Sequence, residues 1–133
     1  MSDSVQAEPN YKLLNIAKMG TIATLVLVFA QASTGMAQAR GMLDAVSHSS
    51  AAMLGLVISI AVAVLIVVAK GDSKLKGLGM GLAMAWFIQY GLGEMFAGGM
   101  NWVAWIHAVL AVSMAMHAST MLKNFPKEDS AEA

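Results

Sequence analysis

The chain has 133 residues, 58% of them hydrophobic and only 12% charged, with a formal net charge of zero and a mean hydropathy of +0.66. A soluble domain of this size cannot bury so much apolar surface, and the composition reads as an integral membrane protein. The absence of cysteine excludes disulfides, thiolate metal sites and thiol nucleophiles, and eight basic against eight acidic residues, with no basic stripe, exclude nucleic acid as a partner.

Residues 1–12 are polar and carry Asp3 and Glu8, unlike the basic start of a cleavable secretory signal, so the first apolar segment is expected to be retained. Four long apolar stretches follow, at 13–37, 48–69, 77–98 and 101–122. Each has about the 20 residues needed to cross about 30 Å of hydrocarbon. The connections RGMLDAVS, KGDSKLK and GGMN are short, which makes neighbouring helices antiparallel. The expected fold is all-α, an integral membrane four-helix up-down bundle forming one domain over 13–122, with a polar tail at 123–133. No internal repeat stands out, and the frequent glycines and alanines read as packing residues. Ser47 reads as the N-cap of the second helix.

Lysines set the direction. Lys12, Lys18, Lys70, Lys74, Lys76, Lys123 and Lys127 fall on one side of a four-span topology and only Arg40 on the other. This asymmetry predicts cytoplasmic termini, in the setting of a prokaryotic plasma membrane, with Asn101, Trp102 and Trp105 at the outer interface.

Polar groups inside a span need partners and are functional candidates. Here they are Gln31, Gln38, Asp44, His48, Gln89, Glu94, His107 and His117. His48 and His107 open parallel helices at matching depth in the outer half. His117 follows ten residues after His107, about 15 Å deeper and turned by about 80°, and is expected to be structural. Two imidazoles projecting from two helices toward one axis suit the iron of a haem b, with small residues leaving room for the porphyrin. Arg40 and Gln38 are placed to meet the propionates. Glu94 is a candidate to orient a histidine through its second ring nitrogen, or to carry protons. The expected haem-binding set is His48, His107, Gln89, Glu94 and Arg40, with the two histidines on the iron.

Helix count, the histidine pair and the run Gln89, Tyr90, Gly91, Leu92, Gly93 resemble the four-helix unit of haem A synthases, which is duplicated in the full-length enzymes and single in half-sized archaeal relatives. The resemblance covers most of residues 20–122. It implies haem ligation by His48 and His107 near the outer face. The enzymes place a glutamate three residues before the first of these histidines and an arginine directly after it; this chain has Ala45 and Ser49 there, with Asp44 one residue away. The outer-loop cysteine pair of many members is absent. The resemblance therefore implies the haem fold rather than the oxidation of haem.

The leading expectation is a membrane cytochrome b that carries electrons, with quinol or a membrane redox complex as partner and a homo-oligomer as one possible state. Two alternatives remain. One is a cofactor-free accessory subunit of a larger membrane complex. The other is copper handling by the twelve methionines with histidine, since thioethers suit Cu(I), although Met114 and Met116 point about 160° apart on a helix. No nucleophile, paired carboxylates or phosphate-binding loop is recognisable.

Overall fold

The computed structural model describes residues 8–127; most of the tail expected at 1–12 and of that at 123–133 lies outside them. Four helices make up the described residues: α1 (Tyr11–Ala39), α2 (Ala45–Val68), α3 (Ser73–Ala97) and α4 (Val103–Leu122). They pack in a ring, α1 on α2, α2 on α3, α3 on α4 and α4 back on α1, which is the up-down bundle.

The helix ends are written in local chemistry. Asn10, Asp44 and Asp72 cap α1, α2 and α3, each accepting the backbone N–H three residues on, from Leu13, Ser47 and Leu75. Asp44 also accepts the Ser47 hydroxyl at 2.9 Å. Ser47 is thus a group that the cap binds, and the cap expected at Ser47 sits at Asp44, which moves the start of α2 three residues upstream. α1, α2 and α3 all end in the same reverse turn. The N–H of Met42 returns to Ala37, that of Gly71 to Ile66 and that of Met100 to Met95. The turn needs a left-handed residue just before that donor. Gly41 and Gly99 supply it freely, whereas Lys70 adopts φ 57° at the cost of strain.

α1, α2 and α4 are each long and apolar enough to cross a membrane. α3, expected as a fourth such span, is not so by composition. Gly77, Gly79, Gly81, Gly91 and Gly93, with Lys74, Lys76, Gln89, Tyr90 and Glu94, dilute its apolar content. It nevertheless runs the length of the bundle, burying Leu75, Leu82 and Trp86 completely or nearly so.

The core runs from Leu14, Ile66, Leu75, Met121 and Phe125 at the lysine end to Val28 and Trp86. Large apolar side chains such as Val26, Phe29, Val57, Val64, Val109 and Val112 face outward, as lipid contact requires. Small residues set the helix spacing: the Trp86 ring lies flat on Gly55, where any Cβ would strike it. The Asn10 N–H reaches the Ala69 carbonyl at 2.9 Å and so ties the start of α1 to the end of α2.

Two outcomes follow. Gly55→Ala overpacks the Trp86 contact and is expected to lower stability by about 1–3 kcal/mol, whereas Gly77→Ala, with nothing within 4 Å of the added carbon, is neutral or stabilising; thermal melts in detergent by circular dichroism decide. The Ser47 N–H and hydroxyl hold the exposed Asp44 carboxyl below the usual carboxylate range. A lowered carboxyl stabilises the fold above that range and loses its contribution as pH falls through its own pKa. Asp44→Ala should therefore lower the melting temperature at pH 7, with the gap to wild type closing in strong acid.

Candidate functional site

His48 lies in the first turn of α2 and His107 in the second turn of α4. Their ring centroids are 6.2 Å apart with planes inclined by 56°. Both side chains are half-buried at the end of the bundle away from the lysines.

Each histidine is seated by a glutamine of the preceding helix. The Gln31 amide donates to the His48 carbonyl at 2.7 Å, and the Gln89 amide to the His107 carbonyl at 3.1 Å. Both glutamines are buried, at 4% and 3% exposure, so these bonds stand shielded from solvent. One turn beyond each glutamine comes a glycine against the imidazole. Gly35 would place a Cβ 3.1 Å from His48 Cε1, and Gly93 would place one 3.7 Å from His107 Cε1. The α1–α2 and α3–α4 hairpins therefore repeat one design, Gln-x-x-x-Gly followed by a histidine 17 or 18 residues after the glutamine. This repeat, which the sequence reading did not find, has a short signal: Gln31 to Gly35 and Gln89 to Gly93, each preceding a histidine in the next helix.

The residues between glutamine and glycine differ throughout, and one of these differences reaches a histidine. Thr34 stands third after Gln31, where the other half has Leu92. The Thr34 hydroxyl lies 2.8 Å from the Ala30 carbonyl and 3.0 Å from His48 Nδ1. A Thr34 hydroxyl that gives its one proton to the Ala30 carbonyl accepts from His48 Nδ1–H. His48 is then the Nδ1–H tautomer with a lone pair on Nε2, the state suited to a metal. His107 Nδ1 is buried with no partner, and the side-chain oxygens of Gln31 and Gln89 are likewise buried and unpaired.

The remaining candidates are dispersed. Glu94 is exposed, within electrostatic reach of Tyr90 one turn back, and does not orient His107, whose Nδ1 has no partner. Gln89 acts on the His107 backbone. Arg40 is the exposed C-cap of α1, and the Asp44 carboxylate is spent on its cap instead of on His48. His117 lies near the lysine end, its Nε2 2.8 Å from the Leu78 carbonyl and its ring against Gly81. It joins α4 to α3. The methionines do not converge: Met114 and Met121 are buried in the core, whereas Met36, Met42, Met80, Met84 and Met116 are 57–72% exposed. Among the described residues no three His, Asp or Glu side chains gather to hold a metal by themselves.

Packing changes at the histidine level. Beyond Gln31 on α1 and Gln89 on α3, no residue to the helix end is buried, and α4 has none between Val103 and Met114. Apart from Val103, the buried apolar core stops where the histidines begin. Searches against protein-family models, curated proteins and solved structures find no match to this chain.

Proposed function

We propose that the protein is an integral membrane electron carrier that holds one haem b between His48 and His107 as axial ligands. The observation that carries this reading is the spacing of the two imidazoles. Metal–imidazole bonds of about 2 Å, with about 1.1 Å from each nitrogen to its ring centre, separate two rings across one ion by about 6.3 Å. The rings lie 6.2 Å apart.

The donor set fits as well. Two imidazoles suffice for a haem, whose porphyrin supplies the other four ligands. Thr34 holds the His48 proton on Nδ1 and so leaves Nε2 free to ligate. Gln31 and Gln89 fix the backbone from which each ring projects. Gly35 and Gly93 keep the walls beside the rings flat, and the loosened packing at this level leaves helix faces for a planar apolar group to cover. Arg40 at the same end suits a propionate. A haem held by His48 and His107 would supply reversible one-electron transfer; quinol or a membrane redox complex fits as the partner.

A cofactor-free accessory subunit is the second reading. It draws on the glutamine–carbonyl bonds, which knit the helix pairs whether or not a group sits between the rings.

The deciding measurement is the dithionite-reduced minus oxidised absorption spectrum of protein made with ample haem. A sharp α-band with about one haem per chain supports the first reading, and a flat spectrum favours the second. His48→Ala and His107→Ala are each expected to abolish or convert the low-spin spectrum, whereas His117→Ala leaves it intact; equal loss from all three sinks the assignment. Thr34→Val removes the acceptor for His48 Nδ1–H. It should weaken haem retention about 10–100-fold and raise the reduction potential, because a less basic imidazole stabilises the oxidised iron less. Leu92→Thr, which offers His107 the same acceptor, should move the potential down, as read by redox titration.

A further inference from the structure

At the opposite end of the bundle, α1 and the segment after α4 enclose a cavity of about 350 Å³, lined by Tyr11, Lys12, Leu14, Asn15, Lys18, Phe125, Pro126 and Lys127. Three lysines border it and, among the described residues, no acidic residue does. Gathering like charges around one concavity is unfavourable without a counter-anion. The retention of positive charge on one side of a membrane protein explains lysines at this end, but not their convergence. Lys70, Lys74 and Lys123 are exposed at the same end and line no part of the cavity.

We propose that this cavity is a binding site for the headgroup of an anionic phospholipid. Lys12, Lys18 and Lys127 meet the phosphate, and Asn15 and Tyr11 offer hydrogen-bond donors from the same face of α1. The other walls, Leu14, Phe125 and Pro126, are apolar, and Phe125 is held in the core at 7% exposure, which fixes the path of the chain leading to Lys127. Ile16 and Met19 continue from this rim along the outward face of α1, 49% and 62% exposed, where an acyl chain would lie. A cationic rim on an apolar wall at the end of spanning helices fits a lipid headgroup better than a free anion. The site stands apart from the histidine pair, so the haem reading and this one fail independently.

Native mass spectrometry of the full chain, released from phosphatidylcholine bilayers containing phosphatidylglycerol, tests it. Wild type is expected to retain one phosphatidylglycerol. The Lys12→Gln/Lys18→Gln/Lys127→Gln variant should bind it about 100-fold more weakly, the corresponding triple Lys→Arg variant should retain it, and Lys70→Gln/Lys74→Gln/Lys76→Gln should stay within about threefold of wild type. Equal losses from the two Gln triples would reduce the effect to general surface charge and overturn the site. Competition by inorganic phosphate as strong as that by phosphatidylglycerol would make it a free-anion site. Tighter lipid binding by at least about tenfold after deletion of residues 128–133 would make the acidic tail its occupant.

Discussion

The two amide-to-carbonyl bonds, Gln31 to His48 and Gln89 to His107, are the constraint on which the arrangement of this molecule depends. In hydrocarbon a helix has no hydrophobic reason to prefer another helix over lipid, so association rests on close packing and on polar bonds between helices. A buried primary amide left unpaired costs about 1–3 kcal/mol, which makes each glutamine a strong determinant of which turn of the next helix it meets. By gripping the carbonyl of the histidine itself, and not a neighbouring residue, each glutamine fixes the height of the imidazole along the bundle. Two such grips, one in each hairpin, bring both rings to one level.

The repeated frame makes one of its departures informative. Thr34 and Leu92 occupy the same place in the two hairpins, yet only Thr34 reaches an imidazole nitrogen. One histidine consequently has a hydrogen-bond partner at Nδ1, and the other has none. Hydrogen bonding at the far nitrogen governs the basicity of a ligating imidazole. The two rings are therefore unequal by a single side chain, although their backbones are held alike.

Helix number, order and antiparallel packing were legible from apolar run lengths and short connections, because the bilayer allows so few alternatives. The shared depth of His48 and His107 followed from counting residues along parallel helices, and the separation of His117 from the same count. The boundaries at 45 and 73 were not legible, since Asp44 and Asp72 cap four and five residues ahead of the apolar runs and polar first turns carry no hydropathy signal. The glutamine grips escaped notice because each pairs a side chain with a distant backbone atom, and no sequence pattern marks a carbonyl as an acceptor. The repeat was hidden for a related reason. Apart from glutamine, glycine and histidine, only Ala39 and Met42 recur at the same distance from the glutamine, as Ala97 and Met100, and the other residues between them differ. Glu94 misled for want of direction: its depth matches His107, but it faces outward beside Tyr90.

Tight and loose packing divide the bundle along its length, and the sequence accounts for the division. Toward the lysine end, Ile66, Leu75, Leu82, Met114, Ala118 and Met121 interlock at 0–1% exposure. Trp86 fills the middle against Gly55, its indole nitrogen buried without a partner. Beyond that ring Val103 is buried, but the other inward positions pass to Gln31, Gln89, Gly35 and Gly93, side chains too small or too polar to build an apolar core. An oily bundle meant only to pack would continue with leucine and valine to its end, as the lysine half does. Instead, small and polar residues replace them at the one level where two imidazoles meet. Hydrophobic packing in one half therefore anchors the helices, and hydrogen bonds in the other half position the histidines.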